Sequence, residues 1–367
     1  MTSPRKKILY IAAHRPGRSP GQRFRFEQYM PLLESNGFDV THSHIISEKD
    51  DQVFYSKGNY LRKTAILFKS FLKRLEDVLK ADHFDLIVVY REALMLGSTV
   101  FERLLQRSDT PVIMDFDDAI WLQDVSEGNQ QFAWLKRPSK TSRIIAMADM
   151  VFAGNDYLAK YASGFNTRVK LVPTTIDMDY HSHRKQTNDQ DHVVIGWTGT
   201  STTLKHFELV LPAMHQLKKT FGDRMKIRVI ADVPPATNGL ATEFCKWNLE
   251  TEIADLASFD IGIMPLPQDD WSQGKCGFKG LQYMSLGIPT VMSPVGVNNK
   301  IINDGVNGFL AGNESEWVEK LSTLITTKSL REQLGAKGYE TIREHYSLQS
   351  FSADYLKYIR EAMDIRG

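Results

Sequence analysis

Residues 260–312 (DIGIMPLPQDDWSQGKCGFKGLQYMSLGIPTVMSPVGVNNKIINDGVNGFLAG) gather the side chains of this chain best suited to holding a pyrophosphate. An apolar strand ends at Pro265, a polar loop with Asp269, Asp270, Trp271 and Lys275 follows, and a helix is expected from about Gly277. The first amides of a helix lack intrahelical partners and sit at the positive end of its dipole, so those of Gly277 and Phe278 would attract an anion. Lys275 before the helix and Lys279 in its first turn add two cations, as a nucleotide diphosphate needs if it is held without metal. An ordinary strand-to-helix loop with surface lysines is the plainer alternative. A second loop, GWTGTSTTLKHF at 196–207, sets Gly196 and Gly199 among hydroxyls, with Thr200, Ser201 and Lys205 ahead of an apolar-periodic helix. Backbone there can approach phosphate closely, or the segment is simply a capped helix start.

In the first half, AHRPGRSPGQRFRFEQY at 13–29 places Arg15, Arg18, Arg23 and Arg25 on or beside the loop that follows the first apolar strand. That carboxyl end is where α/β folds bind ligands, and guanidinium clusters select phosphate, whether of a donor or an acceptor. Exposed arginines on a loop are the alternative. Tyr90, Arg91 and Glu92 end another strand and are expected at the same site. The acidic group DFDDAIW at 115–121 follows a third. Asp117 or Asp118 would orient or deprotonate an acceptor hydroxyl, or hold manganese on a diphosphate, or be plain loop carboxylates. The metal reading conflicts with a complete second phosphate-binding half, so no metal or cofactor is expected. His-x-His at 42–44 and 181–183 lacks companion ligands and reads as surface.

Strands alternating with helices must position these groups. Short apolar runs fall at 6–13, 38–46, 85–90, 111–116, 150–155 and 169–173, and again at 192–197, 226–231, 260–266, 289–294 and 308–312. Helical stretches are expected between them, including 203–220, 241–248 and 277–286. This grammar predicts an α/β fold with parallel sheets. Residues 174–191 are polar and aperiodic and read as a linker, which separates a Rossmann-like domain over 1–173 from a second over 192–345. Pro31 and Pro212 fall inside predicted helices, so each kinks its helix or opens a shorter one. A chain of 367 residues is long enough for two such cores. Net charge of +1 provides no global attraction for nucleic acid, and 42% hydrophobic with 24% charged residues excludes disorder. No apolar run approaches the roughly 20 residues of a membrane span. Cys245 and Cys276, with no export signal, are expected as free thiols in a reducing compartment, by default the cytoplasm.

The run YMSLGIPTVMSPVGVNNKIINDGVNGFLAG resembles the C-terminal signature of glycosyltransferase family 4, in which a helix ending in Gly-x-Pro leads to a valine-rich strand and a DGxNGFL turn. HYSLQSFSADYLKY at 345–358 is similar to that family's closing helix, so residues 346–367 are expected to return to the first domain, and VPTTIDMDY at 172–180 resembles its linker. The resemblance implies a GT-B fold with a nucleotide-sugar donor bound in a cleft, Pro265 and Gln282 near base and ribose, and retention of anomeric configuration. It also implies a glutamate on the loop and another in the helix, at positions that here are Gly274 and Gln282. An amide can still bond ribose hydroxyls; glycine offers nothing. Lys205 matches a family lysine, whereas Thr200 or Ser201 stands where an arginine is usual.

The function expected is transfer of a sugar to a glycan or lipid-linked acceptor in polysaccharide or glycoconjugate assembly. The rivals are a non-catalytic sugar-nucleotide-binding subunit and a nucleotide-sugar epimerase. Residues 57–75 (KGNYLRKTAILFKSFLKRL) interleave Lys63, Lys69, Lys73 and Arg74 with Ile66, Leu67, Phe68, Phe71 and Leu72. They read either as a packed surface helix with a solvated basic face or as peripheral contact with the inner face of a membrane.

Overall fold

The apolar runs become two parallel sheets in a computed structural model that describes residues 4–56, 58–122, 137, 139–182 and 191–366. The first sheet holds β1 (Lys6–His14), β2 (Phe38–Ile46), β3 (Leu86–Tyr90), β4 (Val112–Phe116), β5 (Met150–Ala153) and β6 (Val169–Leu171), in the order β2-β1-β3-β4-β5-β6. The second holds β7 (Val193–Thr198), β8 (Met225–Ala231), β9 (Glu243–Lys246), β10 (Ile261–Met264), β11 (Thr290–Met292) and β12 (Phe309–Leu310), in the order β12-β11-β10-β7-β8-β9. Every neighbouring pair is parallel. Helices cover both faces of such sheets, which is why β3, β4, β7 and β10 are buried along their whole length and read as continuous apolar runs. In each sheet the strand order reverses beside its first strand, between β1 and β3 and between β7 and β10. Ligands of doubly wound folds bind at these switch points, outside the carboxyl ends of the strands.

Contacts divide the chain into one unit of Met1–Thr174 with Ser352–Gly367, and a second of Thr175–Phe351. The helix Leu348–Met363 begins in the second unit and buries Tyr355 and Ile359 in the first. The segment read as a linker belongs, where described, to the second unit. Ile176 pairs with Ser347, and the Tyr180 hydroxyl donates to Glu252 at 3.1 Å. Residues 183–190 lie outside the described residues. Both prolines open short helices, Met30–Ser35 and Leu211–Phe221, where a missing amide hydrogen costs nothing.

Two expectations fail. Residues 243–246 form edge strand β9, not a helix, because Arg228 on β8 grips Glu243 at 2.7 Å and the four residues pair with β8. So short a segment has no period of its own to read. The amphipathic helix exists, over Tyr60–Leu79, but is turned the opposite way from a solvated basic face: Lys63 and Arg74 are buried, while Leu61, Phe68, Phe71 and Leu72 are exposed. Among the described residues no helix is long and apolar enough to cross a membrane.

Candidate functional site

In the second unit the loops after β7 and β10 flank the switch point, and the residues singled out in them converge. Gly277 precedes the helix Phe278–Ser285 with φ +73°, and a Cβ there would fall 2.3 Å from Ile301 Cδ1, so both backbone and packing require glycine. Two residues on, in the first turn, the Lys279 ammonium lies 5.6 Å from the ring centre of Trp197, the buried indole of β7. Lys275 covers Trp271 in the same way at 5.0 Å. His206 is buried on the helix Leu204–Glu208. Burial, then Lys279, Lys275 and Lys205, push its imidazole down to about 4, against a smaller opposing effect of Asp269. The ring is therefore neutral at pH 7. Pro265 is buried at the end of β10. Gln282, on the same helix, is only 4% exposed. Phe278 is half-buried beside Gly277.

The other loop does not offer its amides as expected. Gly199 N donates to the Ile230 carbonyl at 3.0 Å, and Thr200 N donates to the Thr203 hydroxyl at 3.0 Å. The amide and hydroxyl of Ser201 both donate to Asp232, at 2.6 and 2.9 Å. Gly196 is a packing glycine inside β7, where a Cβ would strike the Phe259 ring. Lys205, just beyond, is exposed and adds to the lowering of His206. Cys245 and Cys276 are free thiols.

In the first unit, Arg91 leaves β3 with φ +62°, a conformation that side chains other than glycine rarely adopt. Its guanidinium donates to Asp117 at 2.7 and 2.9 Å and to Asp118 at 2.6 Å, and the Tyr90 hydroxyl donates to the same Asp117 oxygen at 2.8 Å. Burial pushes the Asp117 carboxyl up, but Arg91, Arg25 and the Tyr90 hydroxyl outweigh it and hold the group below the usual carboxylate range. A carboxylate so stabilised is a poor base and a permanent negative charge. Gly21 leaves room for the arrangement, since a Cβ there would sit 2.2 Å from the Tyr90 hydroxyl. His14, at the carboxyl end of β1, was not singled out from the sequence. Its Nε2 lies 2.7 Å from the Tyr55 hydroxyl, and burial, followed by Arg18, lowers it to about 4, so it too is a neutral ring.

The arginines separate by role. Arg15 and Arg18 both pair with Asp51, Arg15 at 3.0 Å. Arg23 lies over the Phe24 ring at 5.1 Å. Arg25 departs from the expected phosphate role: it is 1% exposed and bonded to Asp115 and the Val172 carbonyl. Glu92 likewise pairs with Lys140, whose ammonium also reaches the carbonyls of Leu94 and Leu96. Both brace the loops and leave Arg91, Asp117 and Asp118 as the polar group at the strand ends. Among the described residues no three His, Cys, Asp or Glu side chains group as ligands for a metal. His42 is not a surface residue, since both ring nitrogens are buried without a partner; of the second His-x-His pair, His181 is buried and His183 lies outside the described residues.

No curated protein sequence matches the chain. Among solved structures, sucrose-phosphate synthase from Thermosynechococcus elongatus is similar at 14% identity and TM-score 0.72, covering 97% of this chain and 99% of that one. A glycosyltransferase from Rickettsia africae ESF-5 is similar at 12% identity and TM-score 0.70, covering 98% and 99%. HepE of Anabaena in complex with UDP and glucose is similar at 13% identity and TM-score 0.65, covering 97% and 99%. These likenesses give the fold, GT-B, across the whole chain, as the resemblance implied. Residues 192–327, the part that bears the lysine cluster, match the family model of glycosyl transferases group 1.

Proposed function

We propose that this protein is a nucleotide-sugar-dependent glycosyltransferase that moves a hexose, with retention of configuration and without a metal, to a glycan or lipid-linked acceptor. The observation that carries the proposal is the β7/β10 switch point, where a glycine-capped helix begins with Lys279 seated on the buried Trp197 ring and Lys275 on Trp271, and Lys205 stands exposed after β7. A diphosphate is the ligand that such a site neutralises. Gln282 supplies a buried amide for ribose hydroxyls and Pro265 the apolar wall for the base. As the anomeric bond loosens, negative charge grows on the diphosphate. Cations fixed beside it, and Lys279 above all because the Trp197 face steadies it, stabilise the transition state more than the ground state.

Asp117 and Asp118, held on Arg91, are read as the groups that orient an acceptor hydroxyl, with Arg15, Arg18 and Arg23 available to an acceptor phosphate. The low-lying Asp117 carboxyl supports orientation over proton abstraction.

A thermal-shift panel of UDP-, GDP-, ADP- and CMP-sugars tests donor binding, since a ligand that binds only the folded state raises the melting point. UDP-glucose heads the panel because HepE was solved with UDP and glucose. Sugar transfer or slow donor hydrolysis then separates an enzyme from a binding subunit. Lys279→Ala is expected to lower kcat/KM about 100-fold. Unchanged kcat and KM in that variant would remove the mechanism.

A further inference from the structure

We infer that the helix Tyr60–Leu79 is a docking surface for an anionic lipid bilayer, with its apolar face laid into the headgroup boundary. The helix departs from a normal surface helix, whose apolar stripe faces the core, because most of its large apolar side chains face outward. Its inward face is mixed: Ile66 packs into the core, and Lys63, Ser70, Arg74 and Asp77 are buried beside it in polar contacts. The Arg74 guanidinium donates to the carbonyls of Ala12 and Ala93, each at 2.6 Å, to the Ser43 hydroxyl at 3.0 Å and to Asp77 at 2.7 Å. Ser43 also donates to Asp77, and Lys63 donates to the Ser56 carbonyl. These bonds fix the rotation of the helix about its axis. The outward face is then apolar: Leu61 is 89% exposed, Phe68 63%, Leu72 49% and Leu79 74%, with Leu75 continuing the stripe. Spacings of 7, 4, 3 and 4 residues keep all five on one side.

Charge decides the occupant. Over residues 60–80 six lysines and arginines stand against two carboxylates, Glu76 and Asp77, and four of the six, Arg62, Lys69, Lys73 and Lys80, are not buried. Exposed Arg62, Lys69 and Lys80 border the stripe. The neighbouring helix Val100–Gln106, on whose Phe101 the Phe71 ring packs at 5.0 Å, adds exposed Arg103, with Arg107 just beyond it. An apolar stripe between cations suits acyl chains flanked by anionic headgroups. A second copy of the stripe would bring like charges together. The bonds of Arg74 to the carbonyls of Ala12 and Ala93 tie the helix to the carboxyl ends of β1 and β3, where Arg91 and Asp117 stand, so a docked bilayer lies on the side from which a lipid-linked acceptor arrives.

The test is co-sedimentation of the full chain with vesicles of phosphatidylglycerol and phosphatidylcholine, and of phosphatidylcholine alone. Leu61→Glu, Phe68→Glu and Leu79→Glu together, all at exposed positions, should lower binding to the anionic vesicles about tenfold or more while leaving the melting point and its nucleotide-sugar shift unchanged. Arg62→Gln, Arg103→Gln and Arg107→Gln together should abolish the preference for anionic vesicles and its salt dependence. Equal sedimentation of the wild type and the glutamate variant would overturn the inference. So would a wild-type dimer, seen by sedimentation velocity, that the glutamate variant dissolves without any vesicle binding. Donor binding is read separately, so failure of this inference leaves the proposed reaction standing.

Discussion

Arg91 holds a backbone angle that an alanine or any larger side chain resists, and the cause is visible around it. Its amide donates to the Asp115 carbonyl at 2.7 Å, and its guanidinium is divided between Asp117 and Asp118. Strain of this kind persists only where the surroundings over-determine it, and it clusters where a charged group must be held still. Replacing Arg91 by Ala or by Gly removes the same ion pairs, but only glycine accepts φ +62° without cost. Arg91→Gly is therefore expected to be more stable than Arg91→Ala by about 1 kcal/mol, against the usual order of the two residues, as read from urea midpoints at equal m-value. The reverse order would show that the left-handed angle is not imposed by the fold. At this scale the sequence is readable where residue type and spacing fix a position, as with Lys275 just before a helix and Lys279 in its first turn. It is silent where role depends on burial. Arg15 and Arg25 are the same residue on the same stretch, and only packing against Asp115 makes the second a buried brace. His206 and His14 are inconspicuous as letters and become notable through the lysines and arginines that fold around them.

Elements were legible in proportion to their length and burial. Strands β1, β3, β4, β7 and β10 announce themselves as apolar runs because both faces are covered, and their alternation with helices implies parallel pairing. Edge strand β9, half-exposed and four residues long, does not. The helix Tyr60–Leu79 was legible as amphipathic but not in its rotation, since a basic and an apolar face exchange places once Arg74 finds Asp77 and three backbone or hydroxyl oxygens inside. Strand β2 holds a similar surprise in His42, opposite Tyr10 and edge-on to Phe26 at 5.3 Å, with neither ring nitrogen bonded. Burial, then His44 and Arg74, lower its imidazole to about 4. Because the folded value lies below the unfolded value near 6.5, the unfolded chain takes up the proton first. The contribution to stability is thus complete above about pH 6.5 and is lost as the pH falls toward 4. His42→Phe is expected to gain about 1–2 kcal/mol at pH 7 by removing unsatisfied nitrogens, and to flatten the decline between pH 6.5 and 4. Denaturant titrations of both proteins across that range decide it; parallel pH profiles would contradict the assignment.

At the scale of the whole molecule, the chain closes its first unit with its last residues. Tyr355 is fully buried there, its hydroxyl 2.9 Å from that of Tyr10 and its ring stacked on Tyr29 at 3.9 Å. Arg366 pairs with Asp149 at 2.7 Å, and Glu361 with Lys170 at 2.6 Å. The second unit has its own core around Trp197, Phe207 and Trp317. Each unit thus owns a large buried side chain that the other lacks, and truncating it should be felt by that unit first. Removing a buried aromatic costs about 3–5 kcal/mol, which at roughly 2–4 °C per kcal/mol for units of this size is a fall of about 10 °C. Calorimetry of Tyr355→Ala is expected to show the first unit's transition displaced by that amount, while a nucleotide-sugar still raises the melting point of the second. Trp317→Ala should do the opposite, because its cavity opens in the core of the second unit. The decisive comparison is between the two variants. If both lower a single transition equally and both abolish the nucleotide-sugar shift, the units do not fold on separate cores, and the return of the C-terminal helix serves the second unit as much as the first.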